Sequence, residues 1–416
     1  MQLVEQHVIS KADPRFVAID IAAFKAKNLY NAANYLVRQA FIGEQRYLGY
    51  VAIFHLIKHT EAYTALPRKV SNDILRQLDK NWRAFFAASA AYREDPSAYV
   101  ARPKLPKYKD KTKGRFLLTY DIQAISRRAL AQGILSPSGL NITVQTAHRT
   151  VKQARIVPHA GYYVVEIVYE HEETPPSGNP ALYAAIDIGV DNLAALTSNK
   201  VGFVPRLVNG RPIKSTNQFY NKRRAELQTV LEQGGTTARA GRMTTKRTRR
   251  INHYLHTASR AIIALLVAEG IGTLVVGKNP SWKQEARLGR RNNQHFVQLP
   301  HARFIEMLAY KAKLAGIRFI TQEESYTSKA SFLDNDPIPT YDPQQEGSYA
   351  FSGKRIKRGL YRARDGRTLN ADVNGSYNIL RKALPTAFAY GIEAVAVRPV
   401  WLTFVWSVPP RARAAA

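Results

Sequence analysis

Three carboxylates, far apart in the chain and each beside an apolar run, constrain this sequence more than any other feature. Asp187 ends the run in AAIDIGVDN, which then turns on a glycine. Glu324 in TQEESYTSK follows the strand-like GIRFI, and Asp372 in LNADVNGSYNIL opens an Asn-rich, helix-like segment. Short apolar runs of this kind read as buried strands, which a sheet could bring together. Carboxylates converging on a sheet form an oxygen cage for Mg²⁺, with Mn²⁺ as the substitute. Two such ions about 4 Å apart clamp the attacking and leaving oxygens of a phosphodiester. Each acid alone also has an ordinary reading. Asp187 and Asp191 suit a turn, Asp372 suits an N-cap, and Asn374 and Asn378 suit a surface. Glu323 and Glu324 are adjacent, so on a strand only one can face a site. Glu323 takes that place if the register slips by one.

The formal net charge is +30 and the pI about 10.2, so the surface attracts polyanions, nucleic acid first. With 416 residues and a 45% hydrophobic share, two to four globular domains are expected. No apolar run reaches about 18 residues, and no basic-then-apolar signal follows Met1. A cytoplasmic protein without a membrane partner is expected. The absence of cysteine excludes disulfides, thiol nucleophiles and cysteine zinc sites. No HExxH is present, so no zinc is expected, and neither GxxxxGK[ST] nor GxGxxG suggests ATP or NAD.

Residues 1–18 read as a strand and turn, followed by helices from Ile19 to about Phe86. Ser71 suits an N-cap for SNDILRQLDKNWRAFF. In that region Lys69, Asn72 and Arg76 share one helix face and suit readout of base edges in a groove. ARPKLPKYKDKTKGR reads as a basic loop carrying Lys104, Lys107 and Lys109. Short alternating runs then predict a small antiparallel β unit, and EETPPSGNP a linker. From Leu182 strands and helices alternate, which predicts an α/β sheet domain. Two basic stretches suit phosphates, although charge runs are commonly solvated faces. One is NKRRAEL with Arg223 and Arg224, near KRTRR and the aromatic Tyr220, His253, Tyr254 and His256. The other is SGKRIKRGLYRARDGR, with Lys354, Arg355, Lys357 and Arg358 among Tyr349, Phe351 and Tyr361.

These motifs resemble the TnpB family, transposon-encoded RNA-guided DNA nucleases related to the compact type V CRISPR effectors. KNLYNAANYLVRQAF looks like the family's opening helix, IDIGVDNLAALTS like its first RuvC motif, and YLHTASRAII like the helix before the second. YTSK and DVNGSYNIL look like the closing motifs. The resemblance implies a multidomain α+β protein: an RNase H-like (RuvC) nuclease domain, a helical recognition domain and an OB-like wedge β-barrel. The barrel would take residues 1–18 and 105–175, and the recognition domain 19–104. RuvC would take 182–328 and 369–380, around a nucleic-acid-binding insert at 329–368 and before a tail at 381–416. The resemblance also implies Asp187, Glu324 and Asp372 as catalytic Mg²⁺ ligands, a guide RNA, a double-stranded DNA target with a flanking motif, and one protein copy per RNA complex. Two departures stand out. The family's usual Glu after the strand LVVGKNP is Gly277 here, with Glu324 on a neighbouring strand as its expected replacement. The usual four-cysteine zinc ribbon is missing, so the insert must hold itself by other contacts or fold on nucleic acid. The rivals are a nuclease-inactive RNA-guided repressor, a guide-free RNase H-like transposase or nuclease, and a structural RNA-binding protein.

Overall fold

The structure, a computed structural model, describes residues 1–231, 235, 237–278, 298–341, 349–389, 391–392 and 395–404. It forms two compact units, Met1–Glu172 and Glu173–Ala416.

In the first unit, β1 (Gln2–Ser10) leads into α1 (Phe16–Gly43), α2 (Tyr50–Ile57), α3 (Glu61–Thr64) and α4 (Arg68–Glu94). Helix α1 buries Ile19, Ala23, Ala26, Tyr30, Ala33 and Val37, the spacing of one helical stripe. Helix α4 starts ahead of the expected boundary, behind Pro67. Ser71 therefore lies inside the helix, buried, and donates to the Tyr63 carbonyl at 2.8 Å instead of capping. The basic loop is tied to α1. Asn31 exchanges two hydrogen bonds of 2.9 Å with the Lys109 backbone, and Lys27 Nζ donates to Lys111 O at 2.7 Å.

The chain continues through β2 (Leu118–Asp121), α5 (Arg127–Ala131), β3 (Ile134–Leu135), β4 (Val144–Gln145), β5 (Gln153–His159) and β6 (Tyr162–Glu170). Four of these strands make an antiparallel sheet in the order β1-β6-β5-β2, and β3 pairs with β4. Helices and strands close on one core containing Ile9, Leu29, Trp82, Tyr120 and Ile156.

The second unit opens with β7 (Asn179–Asp187), β8 (Asn192–Ser198) and β9 (Arg206–Asn209), an antiparallel meander. Asn179 and Pro180, assigned to a linker by composition, belong to β7, because Asn179 pairs with Ile271. Next come α6 (Arg211–Gln228), α7 (Ala238–Ala268), β10 (Ile271–Gly277), α8 (His301–Leu314) and β11 (Arg318–Gln322). Then follow β12 (Lys354–Lys357), β13 (Leu360–Arg362), β14 (Thr368–Asn370), α9 (Ala371–Ala383) and β15 (Val400–Trp401). The six-stranded sheet has the order β11-β10-β7-β8-β9-β15, with β10 parallel to β7 and β11 parallel to β10. A three-strand meander flanked by parallel strands is the RNase H-like arrangement of a RuvC nuclease fold.

Strand alternation sorts the sheet's two faces. Ala184, Ile186, Leu274 and Val276 pack with Leu255 and Ile262 of α7 and with Phe304 and Leu308 of α8. Ala185 and Val275 pack with Ile379 and Leu380 of α9. Asp187 shares parity with Ala185, so it projects on the α9 face.

The described part of the insert holds itself without cysteine. Strands β12, β13 and β14 form a sheet over a small core of Tyr361, Leu369 and Ala371. Asp336 accepts from the backbone of Ser331 at 2.8 Å and of Ser352 at 3.0 Å, and Asp334 from that of Arg364 at 2.9 Å. Tyr361, read above as a base-stacking candidate, is buried and donates to Lys329 O at 2.7 Å. Residues 342–348, 390, 393–394 and 405–416 lie outside the described residues. Among the described residues no helix is long and apolar enough to cross a membrane.

Candidate active site

Strand β14 runs directly into α9, whose N-cap is Asn370. Its Oδ1 accepts from Asp372 N at 2.9 Å and Val373 N at 3.2 Å. Asp372 is thus a first-turn residue and not the cap, which leaves its carboxylate available. That carboxylate accepts from Asn192 Nδ2 at 2.6 Å and meets Arg355 Nη2 at 3.3 Å. Small residues bring α9 down onto the sheet. Ser376 donates to Ala185 O at 2.9 Å, and a Cβ on Gly375 would lie 2.7 Å from Asp187 Oδ2. Any side chain at position 375 would displace the Asp187 carboxylate.

Glu323 and Glu324 follow the end of β11 and part company there. Glu323 accepts from Lys382 Nζ at 2.5 Å and from Ser325 N at 2.6 Å, which ties it to α9 and to its own loop. Glu324 turns toward β10. A Cβ built on Gly277 would meet Glu324 Oε2 at 2.4 Å and Ile379 Cδ1 at 2.6 Å. The Glu324 carboxylate therefore occupies the space a side chain at position 277 would enter.

The loop after Glu324 is locked in place. Thr327 Oγ1 donates to Glu324 O at 2.8 Å, and Tyr326 takes a left-handed φ of 64°. Asn374 and Asn378, one helical turn apart, are buried and not surface residues. Asn374 Nδ2 donates to Ala330 O at 2.8 Å, and Asn378 Nδ2 to Thr327 O at 2.9 Å.

The acids feel one another. Burial, then the charges of Glu324 and Asp372, push Asp187 well above the usual carboxylate range, while Arg355 opposes the shift. Burial, then Glu323, pushes Glu324 up to about 7. Among the described residues no three acidic or histidine side chains gather at metal-ligand distance. The donor set nonetheless fits a divalent cation: hard oxygen donors, with burial penalising the charged forms of Asp187 and Glu324. Asp191 lies outside the set, paired with Lys214 at 2.9 Å and with Arg358.

Asn192 and Gly375 were missed as site residues in the sequence. Asn192 stands beside Asp191 in the first motif, but a register shift between Asn192 and Ala194 hides its direction from simple alternation.

Residues 166–283 match the family described as the probable transposase OrfB_IS605, and residues 301–379 match the Cas12f1-like TNB domain. The TnpB-like protein ORF457 of Acidianus two-tailed virus is 24% identical over 408 residues, covering 88% of this chain and 82% of the relative. The chain is thus similar to TnpB-family proteins, in two separate segments and along most of its length.

Two solved structures are also similar to this chain. A Cas12f1–sgRNA–target DNA complex aligns with a TM-score of 0.36 at 13% identity, covering 92% of this chain and 100% of that one. The Alicyclobacillus acidoterrestris C2c1 in complex with single-guide RNA aligns with a TM-score of 0.40 at 8% identity, covering 80% and 63%.

The basic candidates have varied settings. Lys69, Lys104, Lys107, Arg224, Lys354 and Lys357 are exposed. Asn72 accepts from the Tyr63 hydroxyl at 2.7 Å, and Arg76 pairs with Asp73 at 3.0 Å. Lys109 Nζ lies 5.5 Å from the ring centres of Tyr30 and Phe116, and Arg223 pairs with Glu226 at 2.7 Å. Tyr254 is buried against the sheet unit with its hydroxyl on the Asn209 carbonyl, so it packs and does not stack on bases.

Proposed function

We propose that this protein is an RNA-guided, Mg²⁺-dependent DNA endonuclease with a RuvC site, associated with a transposon and acting in the cytoplasm as one copy per RNA complex. The observation that carries the reading is Glu324, whose carboxylate fills the space beside Gly277 on the face that bears Asp187. Asp187, Glu324 and Asp372 would hold the metal. Bound there, divalent cations supply a Lewis acid for the phosphate and a water nucleophile at neutral pH. The chain's own residues prepare the place. Asn192 orients the Asp372 carboxylate, Asn374 and Asn378 anchor the loop of Glu324, and Lys382 ties Glu323 to α9. Arg355 offsets the charge of Asp372 and is placed to meet a phosphate. Sequence would be read by base pairing of the guide with the target strand. Lys354, Lys357 and Arg358, with Arg223 and Arg224, would contact phosphates.

The test is plasmid cleavage by protein with its co-purified RNA, with and without Mg²⁺ and after RNase treatment. Cutting that needs both is expected. Cutting that survives RNase assigns a guide-free nuclease. RNA-directed binding without cutting assigns a repressor, the reading that the loss of an acid at Gly277 favours.

Metal affinity should depend on pH. The folded-state pKa of Glu324, about 7, stands above its ordinary 4.5, and that of Asp187 is raised too. The folded form therefore holds extra protons. This contribution to stability is complete below about pH 4.5 and is lost as pH rises through about 7. For Glu324 it amounts to roughly 3 kcal/mol at 1.36 kcal/mol per unit. A bound cation reverses the loss. The rise in Tm caused by Mg²⁺ should grow from pH 5 to pH 8, and a pH-independent rise would contradict the assignment.

The flanking motif would be read by Lys69, Asn72 and Arg76, or by the basic loop at Lys104, Lys107 and Lys109. Asn72→Ala should alter which flanking sequences permit cleavage in a randomised library. A motif profile identical to wild type assigns readout to the loop.

A further inference from the structure

A cavity of about 490 Å³ lies between α6 and α7, apart from the acidic site. Its walls follow helical spacing: Ser215, Thr216 and Phe219 from α6, with Met243, Lys246 and Arg250 from α7. Three features define its chemistry. First, Phe219 is 65% exposed. A solvated helix face has no use for a ring whose burial would be worth roughly 1.5–3 kcal/mol. Second, Arg247, also in the lining, is fixed as a wall. Its Nε donates to the buried Asn217 Oδ1 at 2.6 Å, and its guanidinium lies 5.0 Å from the Tyr220 ring centre. Third, among the described residues no carboxylate lines the cavity, whereas Lys246, Arg247 and Arg250 do. The volume lies within the range of small-ligand sites, roughly 300–1,000 Å³.

We infer that the α6–α7 cleft is a nucleotide slot: it takes one unpaired base against Phe219 and Met243, with the flanking phosphates on Lys246 and Arg250. An apolar platform next to clustered cations, with no acid among the described lining residues, matches a base and its phosphates. A base within a duplex has both faces covered, so the occupant is single-stranded. The inference rests on the nucleic-acid reading proposed above, but not on cleavage.

The test uses the full chain and fluorescein-labelled strands of about 20 nucleotides, as RNA, as DNA of the same sequence, and as a DNA duplex. Binding is read by anisotropy across a salt series. Phe219→Ala should weaken single-strand binding about tenfold, since stacking contributes roughly 1–3 kcal/mol per base. Duplex binding should stay within about twofold, and Phe219→Trp should restore the single-strand affinity. Lys246→Gln with Arg250→Gln should lower the salt slope by about 1.4, at about 0.7 per phosphate of a single strand. The tighter of the RNA and DNA arms identifies the strand. If wild type binds and Phe219→Ala binds equally well, or loses single strand and duplex alike, the slot is overturned alone. An unchanged salt slope in the double variant does the same. If wild type binds no nucleic acid, the slot and the reading beneath it both fall.

Discussion

Asp187→Asn should leave RNA and DNA binding within about twofold of wild type while cleavage falls at least about a thousandfold. The carboxamide keeps the size of the side chain beside Gly375 but removes the charge that would hold a cation. Loss of several kcal/mol of metal-derived stabilisation gives a drop of this order, at 1.36 kcal/mol per factor of ten. A second result should accompany the first. In EDTA at pH 8 the variant should melt at a higher temperature than wild type, because burial and the charges of Glu324 and Asp372 oppose ionisation of Asp187. Adding Mg²⁺ should then raise its Tm less than it raises that of wild type. Undiminished cutting would remove Asp187 from the chemistry. A lower Tm in EDTA would show that the carboxylate is a structural anchor.

Glu324→Gln should be as damaging to cleavage as Asp187→Asn, whereas Glu323→Gln should retain cutting within about tenfold. The two neighbours differ in setting, not in chemistry. Glu323 is held by Lys382 and by the Ser325 amide, while Glu324 faces Gly277 across the sheet end. Glu323→Gln weakens a charged hydrogen bond, a loss of about 1.5–3 kcal/mol that a thermal melt will read. Gly277→Ala checks the same geometry from the other side. Its methyl would meet Glu324 Oε2 at 2.4 Å and Ile379 Cδ1 at 2.6 Å. Overpacking of that kind costs roughly 1–3 kcal/mol, and the displaced carboxylate should reduce cutting in step. The reverse ranking, with Glu323 essential and Glu324 dispensable, would hand the metal to Glu323 and overturn the account of Gly277.

The insert shows how a zinc-free version of this segment holds together. Asp334 and Asp336 gather backbone amides that would otherwise lack partners, and Tyr361 fills the small core. Arg355 and Arg358, on and just beyond β12, contact Asp372 and Asp191. Folding of the insert therefore places positive charge against the acids of the first and last RuvC motifs.

Much of the sheet domain was legible in the chain. Buried strands such as AAID and LVVG announce themselves through apolar runs, because a strand covered on both faces has no polar side. The three acids stood out because each follows or opens such a run, but the strand alternation invoked for Glu323 and Glu324 does not apply, since both lie beyond the end of β11. Other features were not legible. Ser71 read as a cap because local chemistry favours serine there, yet tertiary packing buried it and started α4 at Arg68. Asn374 and Asn378 look like surface residues in a one-dimensional reading. Their role as clamps depends on a loop more than forty positions earlier in the chain. The sequence by itself determined the order of strands and helices, the basic character and the acids, since these follow from side-chain chemistry at short range. Only the tertiary structure decided that Glu324 fills the space beside Gly277, that Gly375 leaves room for Asp187, and that Asn192 and Arg355 reach Asp372. Each of these depends on long-range approach within a few ångströms, and no local pattern encodes that distance.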